Sequence, residues 1–177
     1  SFLWTEVPKS IIIDSNVFNG LSAAAMGGQL IHAIGLYVCE GVVVSNNIFR
    51  NVGVGNTNDA SACIGIHDCK NIIVSSNHIT SIGGCGISIN GTVDTVNINN
   101  NQIVEDVGAG TIPNFGIHFQ KIGSRPNVVA TNVMVSNNII QAALASSRCL
   151  NTSGTVTNCS FKSNLCDNEL ELENANK

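Results

Sequence analysis

The feature that most constrains this chain is a stretch that recurs with its chemistry kept and its residues changed. Its plainest copy is Val42-Val43-Val44-Ser45-Asn46-Asn47-Ile48-Phe49-Arg50-Asn51. An earlier copy runs Ile11 to Gly20, and later ones run Ile72 to Ser81, Val96 to Glu105, Val133 to Ala142 and Cys159 to Asn168. Every copy reads apolar-x-apolar-x-x-Asn-x-apolar. The asparagines are Asn16, Asn47, Asn77, Asn101, Asn138 and Asn164, spaced 31, 30, 24, 37 and 26 residues apart. Units of this length cannot bury an apolar face alone. They must stack, with each column of apolar residues fusing into one core.

Within each copy the apolar residues alternate at period 2, which is a strand, a tight polar turn and a second strand. Three columns follow. Ile11, Val42, Ile72, Val96, Val133 and Cys159 form one; Ile13, Val44, Val74, Ile98, Val135 and Phe161 the next; Phe18, Phe49, Ile79, Ile103, Ile140 and Cys166 the third. Another recurrent strand carries an apolar-Gly-apolar-x mark: Ile34-Gly35-Leu36-Tyr37, Ile64-Gly65-Ile66-His67, Cys85-Gly86-Ile87-Ser88, Phe115-Gly116-Ile117-His118, with a weaker form at Arg148-Cys149-Leu150. Each coil therefore holds about three short strands. The turn asparagines read as structure rather than as a sugar site: Asn tolerates the left-handed conformation of a sharp corner, and stacked amides hydrogen-bond along a ladder.

Composition narrows the function classes. Charged residues are 11% of the chain and the net charge is −4, with no basic cluster to suit a nucleic acid. No apolar run approaches the length of a membrane span. Seven cysteines, without a CxxC pair, read as reduced thiols and small buried hydrophobes made in a reducing cytoplasm, and Cys39 and Cys69 hold equivalent places in successive units. The four histidines are scattered, so no metal centre and no cofactor are expected.

The Val-x-Val-x-x-Asn-x-Phe pattern, the Asn ladder and the Gly-Ile strand resemble the right-handed parallel β-helix of the pectate-lyase-like superfamily. That family includes polysaccharide lyases, glycoside hydrolases, epimerases and bacteriophage tailspikes. The resemblance covers about residues 10–168 and implies an all-β solenoid of about six coils with three short strands per coil. A leucine-rich repeat shares the apolar-x-apolar-x-x-Asn core but needs uniform units, abundant Leu and a helix after each strand, none of which the sequence offers. Residues 1–177 read as one domain with a polar tail at 169–177. The absence of the family's amphipathic cap makes the chain read as a piece of a longer β-helix, with its ends covered by other chains as in a tailspike trimer. The family's calcium-binding aspartates, Arg-containing lyase motif, Asp-Pro-His-Glu signature and paired aspartates are missing from the sequence.

Loop lengths locate the candidate chemistry, because loops carry function on rigid scaffolds. Long connections at Arg50–Ala62 and Val104–Asn114 flank a minimal one at Ser81–Gly84, leaving a notch over the third coil. Asp59 stands on one wall, with Glu105 and Asp106 on the other, where paired carboxylates would suit glycoside hydrolysis. The Gly-marked strand is expected to align Tyr37, His67, Ser88 and His118 in one outward column, with Ser88 at the floor. His67 and His118, roughly 9.6 Å apart at twice the strand spacing, would serve as bases for β-elimination, and Lys70 or Lys121 would neutralise a uronate. Tyr37 and Trp4 are the aromatic residues left to contact a sugar. The bland alternative makes these residues solvated surface and loop. Asp68 is expected to cap the turn at Cys69-Lys70-Asn71.

Two functions fit. One is binding, with or without depolymerisation by hydrolysis or β-elimination, of a bacterial surface polysaccharide by a homotrimeric tailspike-type protein. Such a protein is made in the bacterial cytoplasm and placed on a virion or outside the cell. The other is a non-catalytic shaft, spacer or adhesive β-helix.

Overall fold

The computed structural model describes residues 8–21, 32–54, 61–104, 115–120, 128–141, 148–152, 154–167 and 170–171. The strands come three to a coil. The first coil is β1 (Lys9–Asp14), β2 (Val17–Asn19) and β3 (His32–Tyr37). The second is β4 (Glu40–Ser45), β5 (Ile48–Val52) and β6 (Ala62–His67), and the third β7 (Lys70–Ser75), β8 (His78–Ile82) and β9 (Cys85–Asn90). The fourth is β10 (Thr92–Asn99), β11 (Gln102–Val104) and β12 (Phe115–Phe119), and the fifth β13 (Val129–Ser136), β14 (Ile139–Gln141) and β15 (Arg148–Thr152). The sixth is β16 (Thr155–Thr157), β17 (Ser160–Lys162), β18 (Leu165–Cys166) and β19 (Leu170–Glu171). Like strands of successive coils pair in parallel, giving three sheets in the orders β1-β4-β7-β10-β13-β16, β2-β5-β8-β11-β14-β18 and β3-β6-β9-β12-β15-β19. This is a parallel β-helix of about six coils, as the repeat requires.

The three expected columns line the core together with the inward residues of the third sheet. Val42, Val44, Phe49, Ile72, Val74, Ile79, Ile98 and Val135 are 0% exposed. The rings of Phe18 and Phe49 stack at 4.9 Å with planes 6° apart, a spacing set by the parallel strands that carry them. Full burial of each such side chain is worth about 1.5–3 kcal/mol, so the coils hold together through their shared columns.

The first corner, between the first and second sheets, carries the asparagine ladder. Asn47 N–H and Nδ2 both donate to Asn77 Oδ1, at 3.0 and 3.1 Å, and Nδ2 also donates to Ile13 O of the preceding coil. Asn77, Asn101 and Asn138 repeat the arrangement to Asn101, Asn138 and Asn164. One part of the expectation is corrected. The left-handed residue is not the ladder Asn but the one before it: Ser15, Asn46, Ser76, Asn100, Asn137 and Ser163, with φ from 55° to 58°. The ladder asparagine is placed by its amide, and its neighbour makes the bend.

The second corner, from the third sheet back to the first, bends at Val38, Asp68 and Gly91, all at positive φ. Asp68 reaches across to the next coil. Its Oδ1 accepts from Thr92 N–H of the next coil at 2.9 Å, and a Cβ on Gly91 would collide with that carboxylate. Behind this corner Cys39 N–H donates to Cys69 Sγ at 3.4 Å, so these two cysteines do stack.

Candidate functional site

The third sheet, β3-β6-β9-β12-β15, carries most of the described candidate residues. Its strands do not alternate strictly. Cys63 and Ile64 are consecutive and both belong to the core, as do Cys149 and Leu150. The inside-outside pattern resets at this point. Beyond it, Ile64, Ile66, Ile87, Ile89, Ile117 and Phe119 point in, while Gly65, His67, Ser88, Asn90 and His118 point out.

The register corrects the expected column. Tyr37 pairs with His67, but His67 pairs with Asn90, and Ser88 pairs with Gly65 on one side and His118 on the other. His67 and His118 therefore lie in different columns, two residues apart along the strand direction. The signal that misled is glycine. A Cβ on Gly35 or Gly65 would meet the outer-face rings of Tyr37 or His32, whereas one on Gly86 would meet Ile103 in the core. These glycines mark two different positions that look alike in the sequence.

The outer face is polar yet closed. His67 is 1% exposed, Ser88 0%, Asn90 1%, His118 6% and Gln120 4%, while Tyr37 stands open at 46%. Solvated surface, the bland alternative, does not describe the two histidines. At one end of the face, His67 stacks on Tyr37 with centroids 4.4 Å apart, and His67 Nε2 lies 3.3 Å from His32 Nε2. That distance is a hydrogen bond with one ring donating, which requires the other Nε2 to be unprotonated. Burial lowers the pKa of His32, against a hydrogen bond to the Ala62 backbone that raises it. Further along, His118 Nδ1 lies 3.7 Å from Cys85 Sγ, and its ring packs on Phe115 at 4.1 Å. Burial pushes the His118 pKa down to about 4, so it is a neutral imidazole at pH 7.

Asn90 and Gln120 continue the His67 column in the next two coils. Gln120 follows Phe119, which pairs with Ile89, so the two amides are neighbours in adjacent coils. Asn90 Nδ2 donates to Ser88 Oγ at 3.3 Å. Asn90 Oδ1 and Gln120 Nε2 are buried without a hydrogen-bond partner. A buried acceptor and a buried donor without partners each cost free energy. Sequence reasoning missed both residues, because an Asn and a Gln carry no motif; only the register brings them together.

The other expected residues fare differently. Lys70 is exposed on β7 of the first sheet, beyond the corner from His67, where it pairs in register with Glu40 and Asp94. It is not on the third-sheet face. Asp59, Glu105, Asp106, Lys121 and Trp4 lie outside the described residues. Among the described residues, no group of three or more His, Cys, Asp or Glu side chains could hold a metal ion, and no helix is long and apolar enough to cross a membrane. Compared with known proteins, the chain matches no family model, no curated protein and no solved structure.

Proposed function

We propose that this chain is a carbohydrate-recognising β-helix of the tailspike type, binding a bacterial surface polysaccharide along the outer face of its third sheet. The observation that supports this most is the open amide pair, Asn90 Oδ1 and Gln120 Nε2. A hydroxyl both donates and accepts, so a sugar hydroxyl admitted to this buried face would satisfy either atom. Tyr37, half exposed at the rim, offers the apolar ring that carbohydrate faces stack against. If the face also cleaves its ligand, the neutral imidazole of His118 suits proton abstraction in β-elimination. Hydrolysis would instead draw on Asp59 with Glu105 or Asp106. A homotrimer is the assembly that goes with the tailspike reading.

The second reading, a shaft without chemistry, has its own support in the closure of the face. His67, Ser88 and Asn90 are at most 1% exposed, which suits a polar seam inside a structural rod. A panel of bacterial capsular and O-antigen polysaccharides separates the two. Reducing-end release, or the ultraviolet absorbance of an unsaturated uronate, is measured for the chain beside Tyr37→Ala, His118→Ala and Asp59→Ala. Binding weakened by Tyr37→Ala and cleavage lost in His118→Ala would support the glycan reading and its β-elimination chemistry. Cleavage lost only in Asp59→Ala would support hydrolysis. No binding to any glycan would favour the shaft.

A further inference from the structure

We infer that Cys149 and Cys166 are the two halves of a disulfide, an oxidisable site that staples the fifth coil to the sixth. A contact recurs along the inner corner between the second and third sheets. The inward residue near the start of each third-sheet strand faces the second-sheet residue of the following coil. Gly86 lies against Ile103: a Cβ there would come within 2.8 Å of Ile103 Cγ2. Gly116 lies against Ile140 in the same way. One coil further, the register puts Cys149 beside Gly116 and Cys166 beside Ile140. The glycine-isoleucine contact thus becomes cysteine against cysteine. The small partner has grown and the large one has shrunk, so two sulfurs fill the space that a branched side chain fills elsewhere.

The geometry agrees. The Cys166 thiol is hydrogen-bonded to Cys149. Cys149 Sγ also lies 3.6 Å from Ile140 O, the backbone of the residue that Cys166 pairs with. The two cysteines come from strands of different sheets, at the position where Gly116 and Ile140 touch one coil earlier. Cys39 and Cys69 are the contrast. They share one column of a parallel stack, so their Cα–Cβ vectors run side by side and bridging requires backbone movement.

The chemistry balances with a small-molecule disulfide such as oxidised glutathione. Cys166 is partly exposed and Cys149 is 0% exposed, so Cys166 meets the reagent first. Its thiolate attacks one glutathione sulfur and expels one glutathione thiolate. Cys149 then attacks the Cys166 sulfur of the mixed disulfide and expels the second. Two protein thiols lose two electrons and two protons, and one glutathione disulfide becomes two thiols. The hydrogen bond with Cys149, together with burial, holds the Cys166 thiol above its ordinary pKa, so the exchange accelerates as pH rises.

The test uses the folded, fully reduced chain. It is incubated with oxidised glutathione at mildly alkaline pH, then alkylated in denaturant and mapped by mass spectrometry. The expected result is a loss of two from seven thiols and one cross-linked peptide joining Cys149 to Cys166. Cys149→Ala and Cys166→Ala should each form no internal cross-link. Cys166→Ala, at the more exposed position, covers the case in which Cys149→Ala does not fold. Retention of all seven thiols, a cross-link between any other pair, or glutathione left attached to Cys166 without ring closure would overturn the assignment.

Discussion

The ladder corner and the outer face of the third sheet are both rows of buried polar side chains, and they are built on opposite rules. At the corner each interior asparagine uses both ends of its amide: Oδ1 accepts from the preceding asparagine, and Nδ2 donates to the next Oδ1 and to a backbone carbonyl of the preceding coil. The identical residue recurs because the bonding pattern is closed on itself and leaves nothing for a ligand. On the third-sheet face the residue changes at every coil, from His67 to Asn90 to Gln120, and two amide atoms remain open. Repetition with full satisfaction belongs to the scaffold. Variation with incomplete satisfaction is where a ligand has something to gain.

The sharpest way to break this contrast is at the ladder. Asn101→Ala deletes the acceptor of Asn77 N–H and the donor to Val74 O, inside the core wall. The expected cost is about 3 kcal/mol or more, read from the denaturation midpoint at unchanged slope. A cost under about 1 kcal/mol would mean that the ladder decorates the corner without holding it.

Next in size is a pH effect from the other region. His118 is neutral in the native chain until about pH 4, whereas the ordinary value is 6.5. Between those values the unfolded chain binds a proton that the native chain refuses. Stability therefore falls as pH drops through that window and is fully present above it. The loss from this group is roughly 3 kcal/mol. Urea unfolding of the chain beside His118→Gln should show the two curves converging as the pH is lowered from 6.5 to 4. Parallel curves would contradict the burial argument.

Smaller still is the effect of closing the open amides. Asn90→Leu with Gln120→Met has no bond of Oδ1 or Nε2 to lose and removes only the long bond from Asn90 Nδ2 to Ser88 Oγ, so unfolding should shift by no more than about 1 kcal/mol in either direction. A loss as large as that of Asn101→Ala would make the face a second scaffold. At the bottom of the scale, Lys9→Ala breaks a 3.8 Å surface pair with Glu40 and should cost under about 0.5 kcal/mol, vanishing in salt.

The fold was legible because the ladder asparagine carries register with it. Once Asn47 is set against Asn77, Val44 must face Val74 and Phe49 must face Ile79, and each pair is found so. The third sheet has no such anchor. Its glycines sit on the outer face in the first two coils and on the inner corner in the next two, on either side of a point where alternation resets. A sequence pattern aligned on Gly therefore slips by two residues between Gly65 and Gly86, which is what set His67 opposite Ser88 instead of Asn90. The chemistry of His67 and His118 was visible in their residue type; their burial was not, because period 2 alone places both on the outside. Nothing local to Asn90 or Gln120 distinguishes them from ordinary surface amides until the coils are stacked.

The most direct test of the central claim is glycan binding by the Asn90→Leu/Gln120→Met chain, compared with the unaltered chain at matched stability. With the tightest-binding polysaccharide of the panel, the account expects affinity to fall by about tenfold or more, the equivalent of about 1.4 kcal/mol, while the unfolding midpoint stays put. Unchanged affinity in the double variant would place the ligand elsewhere on the helix and return the third-sheet face to the scaffold.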